Sequence, residues 1–427
     1  MTTTRSPRLF RARPLTLLSL GHACVDIYQG AVAALVPFFV SERAYTYAAA
    51  SGVVLAASLL SSVVQPLFGA LTDKWAMPWL LPVSTLVCGA GVALAGVGGS
   101  YALTLAAVAM SGIGVAAYHP EAARVARRAA HGSHTAMGWF SLGGNLGFAT
   151  APLMVSAVVA TGGLGASPLL VVPALAGVVL CVAALRGVDV PAATAADTGA
   201  SGAPGRDDWA SFLKLTGAIV CRSIVFVGLS AFISLYVRLR TGGGEVAGTA
   251  ALFVLYLGGA VGTVTGGRLA ARHGRIPVVQ WSYALSVLAV AGVVFVPGPL
   301  FYGFVALTSA GLYVPFSLHV TLGQDYLPRR VGTASGITLG LAVSIGGIAG
   351  PLIGAVADAT SLQTALAPLI ALPALGWILL RALEEPGTPG PRPAPGRPTP
   401  AAGPTSADAG APAATPAPRR PPGTPTR

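Results

Sequence analysis

Apolar positions run through this chain in long unbroken stretches, without the alternation of a half-buried strand or the single apolar stripe of a surface helix. From near residue 15 to near residue 383 these stretches follow one another, parted by short interruptions carrying Gly, Pro or charge. A helix needs about 20 apolar residues to cross ~30 Å of hydrocarbon. No ten-residue alternation of the membrane-barrel kind appears. The pattern predicts an all-α integral membrane protein with about twelve transmembrane helices, at 15–40, 47–72, 79–98, 101–122, 134–160, 167–186, 210–237, 247–271, 277–296, 299–322, 331–357 and 361–382. The connections between the third and fourth and the ninth and tenth are very short and uncharged, which predicts tight antiparallel hairpins.

One internal stretch breaks the pattern. DVPAATAADTGASGAPGRDDW, residues 189–209, is rich in Ala, Gly, Pro and Asp and reads as a linker between two six-helix bundles. The expected organisation is an N-terminal segment 1–14, a first bundle 15–186, a linker 187–209, a second bundle 210–383 and a tail 384–427. The tail's Pro, Ala and Gly density leaves almost nothing apolar to bury, so it is expected to be disordered. The bundles read as copies. GALTDK (69–74) aligns with GRLAAR (267–272), and APL (151–153) with GPL (350–352), at nearly one offset.

Composition agrees with the pattern: 54% of residues are hydrophobic, 9% charged, and mean hydropathy is +0.72. All Lys and Arg except Arg43, Arg222, Arg238 and Arg240 fall at the termini and in the even-numbered loops. The positive-inside rule then places both termini in the cytoplasm and the chain in the cytoplasmic membrane. Basic loops against lipid headgroups account for the net charge of +12, so nucleic acid is not an expected partner. The first apolar run continues past Cys24 to Val40, too long for a signal peptide. Cys24, Cys88, Cys181 and Cys221 lie in predicted helices without CxxC spacing and read as small core residues.

Ionisable side chains inside a bilayer are costly and usually mark a pathway. His22 and Asp26 sit at i and i+4 on the first helix and share a face, with Asp26 ~20 Å deep. They are candidates for proton exchange, with a structural pair as the alternative. Arg222, ~18 Å into the seventh helix, needs an anion: Asp26, Glu121 or an anionic substrate. In AAYHPEAARVARR (116–128), His119 and Glu121 are candidates for a proton entry point at the inner gate, with Arg124 beside them. His22 and His119 are expected to tune Asp26 and Glu121, and His319 is a rough counterpart of His119 in the second bundle. Asn145 can line a cavity; Arg222, Arg124, Asn145 and His319 form the expected substrate set. Gly69, Asp73 and Lys74 are expected to act in gating. So is the small-residue face of the fifth helix, Gly138, Gly147 and Pro152. No metal site is expected.

The twelve helices, the half repeat, the Gly69–Lys74 loop and the Gly138–Pro152 spacing resemble the major facilitator superfamily over about residues 15–383. Ala151, Ala76 and Met77 stand where that family's patterns have Gly, Gly and a basic residue. His22 with Asp26, SSVVQPLFGALTDK, YHPEAARVARRAAHG, LGGNLGFATAPL, Arg222 and LGQDYLPRRVGTASGI together resemble its fosmidomycin resistance branch. The resemblance implies gating by the aspartate loop and proton-driven drug efflux, with a phosphonate antibiotic as one substrate. No Walker A sequence is present to suggest ATP as the driver. Absence of HExxH, GxSxG or any dense carboxylate or histidine cluster speaks against an enzyme. A symporter importing an organic anion is the alternative transporter, and a receptor or scaffold the alternative class. A monomer without cofactor, handling a small molecule and protons in lipid, is expected.

Overall fold

The computed structural model describes residues 7–130, 134–188, 206–330, 333–334 and 336–386, with side chains described except at 7–12, 73, 134, 135 and 339–343. All the regular elements among them are helical. The first half holds α1 (Pro7–Arg43), α2 (Tyr47–Lys74), α3 (Leu80–Ala95), α4 (Tyr101–Ala129) and α5 (His134–Gly162), then a 3-10 stretch, Gly163–Val171, running into α6 (Val172–Leu185). The second half holds α7 (Trp209–Thr241), α8 (Gly244–His273), α9 (Arg275–Phe295), α10 (Leu300–Tyr313) and α11 (Phe316–Tyr326). A π-helical stretch, Gly336–Leu341, then leads into α12 (Ala342–Ala359), α13 (Leu362–Leu366) and α14 (Ala371–Arg381). Most of the linker and the tail lie outside the described residues.

Nine described segments are long and apolar enough to cross a membrane. One, Ala136–Leu185, is 50 residues long and breaks at Gly163, where φ is 62°; Leu80–Ala95 and Ser344–Ala359 are shorter apolar helices. Counting the long segment as two passes and including the two shorter helices accounts for the expected twelve. The protein is an all-α, multi-pass membrane protein. Large apolar side chains on its outside, among them Val179, Leu213, Leu288 and Ile378, meet lipid at no solvation cost.

Three expected helices, the tenth, eleventh and twelfth, are interrupted; the twelfth passes through a 3-10 turn, Ala367–Ile370, between α13 and α14. The tenth ends at Tyr313 and restarts at Phe316, because Pro315 has no N–H to offer the turn before it. Its counterpart α4 runs unbroken through Pro120. The eleventh begins as the π-helical stretch and tightens to α-helix at Ala342.

Within the first half, α1 packs on α5 and α6, and α4 on α2 and α3; in the second, α7 packs on α8, α12 and α14, and α10 on α8 and α9. The halves meet where α2 packs on α12 and α5 on α8. The α1–α5 contact is a seam of bare backbone. A Cβ added at Gly143 or Gly147 would fall far inside 3.0 Å of the Ser19 or Ala23 carbonyl oxygen of α1. Tyr28 ties α1 to the approach of α6: its hydroxyl donates to the Leu170 carbonyl at 2.8 Å and accepts from Ala174 N–H at 2.8 Å.

Candidate functional site

The end of the molecule bearing the α1–α2 and α7–α8 turns is closed between the halves. The Asp358 carboxylate of α12 accepts the backbone N–H groups of Tyr47 (2.8 Å) and Ala48 (3.0 Å) at the start of α2. Thr46 caps the next amide, Ala49, at 3.1 Å, and Ala50 N–H reaches the Thr46 carbonyl. The three amides of the first turn that lack an intrahelical partner, Tyr47, Ala48 and Ala49, are therefore served, two of them by the opposite half. Gly354 allows this approach, since a Cβ there would meet Ala48 N at 2.6 Å. Tyr47 packs edge-on against Phe232, and the Arg238 guanidinium lies 5.3 Å over the Phe38 ring. At the other end, positions Gly69, Gly138 and Gly267 face open space.

Between the halves lies a cavity of ≈ 130 Å³. Gln29 of α1, Ser58 and Ser61 of α2, Ser111 of α4, Phe148 of α5, Phe226 and Ser230 of α7 and Tyr256 of α8 line it. Phe148 stacks edge-on against Tyr256 with ring centroids 4.4 Å apart, joining the halves on one wall. A larger hollow, ≈ 650 Å³, opens on the outer wall of α1 and α5 beside Leu20, Trp139 and Leu146. Two of its three hydroxyls, those of Ser19 and Thr150, are spent on carbonyls of their own helices, which suits a lipid tail.

Behind Gln29 sits a polar cluster. Gln29 Nε2 donates to Asp26 Oδ1 at 2.9 Å. His119 Nε2 of α4 lies 3.1 Å from the same oxygen, and His22 Nε2 lies 3.2 Å from Asp26 Oδ2. The His22 Nδ1–H donates to the Phe140 carbonyl at 3.0 Å, and the His119 Nδ1–H to the Val115 carbonyl at 2.9 Å. A carbonyl can only accept, so both Nδ1 positions carry hydrogen and only the Nε2 positions are free to gain or lose one. Neutral imidazoles would turn two lone pairs toward a carboxylate; imidazolium turns both contacts attractive. His22 is 7% exposed and its Nε2 is off line for a hydrogen bond, so that contact is an ion pair by distance alone. The cluster reaches the open space through His119, whose side chain is 24% exposed. Gly144 makes room for it: a Cβ there would fall inside 3.0 Å of both Asp26 Oδ2 and His22 Nε2. Sequence reasoning missed Gly144; the doubled glycine in LGGNLG was the available signal.

The structure rearranges several expected partnerships. His119 meets Asp26, not Glu121, because residues two apart on a helix point to different faces. Glu121 is fully buried and is held by Arg124, whose Nε donates to Oε2 at 2.9 Å and whose Nη2 bonds Oε1. Arg222 meets neither Asp26 nor Glu121. It donates to the Leu312 carbonyl at 3.1 Å inside the second half. Asn145 faces α8, with its Oδ1 beside Gly259. His319 is buried away from the cavity lining. Gly147 belongs to the α1–α5 seam, Pro152 is buried within a continuous α5, and Lys74 is the exposed last residue of α2. The Asp73 side chain lies outside the described residues.

Among the described residues His22, Asp26 and His119 are also the one grouping whose ligand atoms, all within 4.8 Å of one another, have the reach to hold a metal ion. α4 thus supplies a third potential ligand atom to the pair readable on α1. The four cysteines are free, and three of them are buried.

The description of the Major Facilitator Superfamily matches residues 18–351. The chain is 29% identical over 384 residues to the fosmidomycin resistance protein of Escherichia coli (strain K12), covering 86% of this chain and 91% of that one. It is 30% identical over 375 residues to the uncharacterised MFS-type transporter YfnC of Bacillus subtilis (strain 168), covering 85% and 90%. Among solved structures, the nucleoside transporter NupG superposes with a TM-score of 0.70 over 87% of this chain and 99% of that one, at 13% identity.

Proposed function

Because the chain belongs to the major facilitator superfamily and is a transporter of that fold, we propose that it exports a small drug-like or anionic compound, such as a phosphonate antibiotic, in exchange for protons. The observation that carries this reading is the Asp26 cluster, in which a carboxylate within the membrane is bracketed by two imidazoles that can trade protons only at Nε2. With both imidazoles protonated the cluster holds a net charge of about +1, with one about 0 and with neither about −1. Charge directly behind Gln29, a residue of the cavity wall, therefore changes with each proton taken up or released, which is what coupling a gradient to a conformational change requires. Efflux is favoured by the name of the Escherichia coli relative, a resistance protein.

With both termini cytoplasmic, the open end faces the cytoplasm and the Asp358 contact closes the outer end. Substrate enters between the ends of α2 and α5 near Gly69 and Gly138, and Asp73 and Lys74 act in closing that side. The buried Glu121–Arg124 pair stabilises the inner end of α4 and is a second candidate for proton passage. The protein works as a monomer in the cell membrane, without cofactor.

Reconstituted into liposomes, the protein is expected to move substrate against its gradient when protons flow the opposite way. Asp26→Asn is expected to abolish that drive while facilitated exchange persists. Unchanged proton-driven transport in Asp26→Asn would overturn the assignment of Asp26. Substrate moving with the proton flow would identify a symporter instead.

A further inference from the structure

The second half carries a cation with no counter-charge. Arg222 is 6% exposed, yet no carboxylate lies within ion-pair distance of it among the described residues. Its guanidinium donates from Nη1 to the Leu312 carbonyl and lies 5.3 Å over the Phe316 ring; Nε has no hydrogen-bond partner. His319, one turn beyond Phe316 on α11, is 2% exposed, and neither ring nitrogen has a partner. Its ring lies 5.7 Å from that of Tyr283, whose hydroxyl is already spent on the Ala218 carbonyl. A crevice beside Arg222, too narrow for a water molecule as it stands, is walled by Tyr283, Ser286, Gly311, Leu312 and Pro373, so an anion reaching the Nε edge must part these side chains.

Leaving a buried charge and two buried ring nitrogens unserved is the costliest way to fill a membrane-level core, and a Leu or Met would pack there more favourably. Such an arrangement persists where a ligand completes it. The Nε edge of a guanidinium offers parallel donors suited to two oxygens of one anion, and an imidazole can add a third donor. Phe226, one turn on from Arg222 and on the same face of α7, lines the central cavity, and its ring lies 5.5 Å from that of Tyr313. The unserved Arg222 Nε thus sits one helical turn from the cavity, on its open-end side, with His319 deeper in the second half.

We infer that Arg222 and His319 form a seat for an oxyanion group, a carboxylate or a phosphorus oxyanion, on the transported compound. The seat lies in the half opposite the Asp26 cluster, so the two halves divide the work: one holds protons and the other holds the cargo's charge. That the anion is cargo rests on the proposed transport function; that an anion binds does not.

The test uses purified full-length protein in lipid nanodiscs, with inorganic phosphate as the probe and titration calorimetry and thermal unfolding as readouts, at one pH and without a gradient. Phosphate is expected to bind the wild type and raise its melting temperature. Arg222→Gln is expected to bind at least tenfold more weakly and, without phosphate, to melt no lower than the wild type, because an uncompensated charge has been removed. Arg222→Lys and His319→Gln are expected to bind several-fold more weakly. Arg381→Gln, at an exposed cation of α14, is expected to bind phosphate normally. A wild type indifferent to phosphate, or equal binding by Arg222→Gln and the wild type, overturns the seat. So does an Arg222→Gln protein that melts well below the wild type while Arg222→Lys keeps full phosphate affinity.

Discussion

Removing the Asp358 carboxylate should loosen the outer end without unfolding the protein. Asp358→Ala deletes two hydrogen bonds, of 2.8 and 3.0 Å, from the opposite half to the first two amides of α2. Replacing a helix-capping carboxylate by Ala typically costs ~0.5–2 kcal/mol. The charge also loses its attraction to the positive end of the α2 dipole, ~0.3–1 kcal/mol for an exposed group. Asp358 is exposed, and water replaces part of what is lost, so about 1 kcal/mol is the reasonable total. The whole of it falls on the closed state, because in an outward-open state α12 would have left α2. The ratio of outer-closed to outer-open molecules should therefore fall about fivefold, since ~1.4 kcal/mol is a factor of ten. Pulsed electron–electron resonance between spin labels at Val97 and Leu239, exposed residues of the two halves at this end, reads that ratio as the weight of the longer distance. Asp358→Asn keeps one acceptor and loses the charge, so it should fall between the two. An unchanged distance distribution in Asp358→Ala would refute the latch, as would an equal shift with labels moved within one half.

Three further outcomes follow from the geometry. Gly144→Ala places a methyl group against Asp26 and His22 and should cost ~1–3 kcal/mol of stability together with proton coupling, whereas Gly138→Ala, facing open space, should be neutral or slightly stabilising; melting and transport assays separate them. Arg124→Ala leaves a fully buried Glu121 unpaired and should destabilise by ~3–5 kcal/mol, while Arg124→Ala combined with Glu121→Leu should recover most of that in thermal unfolding. Asp208, just outside the membrane-spanning part of α7, is held below its ordinary carboxylate value by hydrogen bonds from Ser211, side chain first and then the backbone N–H. Its folded value being the lower, its contribution is complete above pH ~4 and is lost as pH falls further, so Asp208→Ala should lower stability at pH 7 by ~1 kcal/mol and less at pH 3.

Much of the architecture was legible because its cause is one-dimensional. A run of about 20 apolar residues must become a helix in lipid whatever its neighbours do, and the predicted spans coincide with the observed helices to within about five residues apart from the longer first and fourth. The tenth broke where Pro315 gives a local reason; the π-helical start of the eleventh has none in the pattern. His22 and Asp26 were readable as a pair because i and i+4 is helix geometry. His119 as their partner was not, because it depends on how α4 packs beside α1, and its sequence neighbour Glu121 was the misleading choice. Arg222 was legible as a buried cation, but its lack of a carboxylate is a tertiary fact. Asp358 gave no signal at all: an aspartate near a loop is ordinary until the opposite helix start is seen beneath it.

The bare seam between α1 and α5 sets where such a transporter is free to change. Gly143 and Gly147 admit no side chain, and Gly144 admits none without displacing the proton-holding group. New cargo preferences must therefore arise on the far wall of the cavity, at Val54, Ala57, Ser58, Ser61 or Val227, where a different side chain reshapes the chamber and leaves its engine untouched. A library confined to those positions should yield altered substrate ranges in folded protein, whereas one directed at LGGNLG should yield mostly inactive chains.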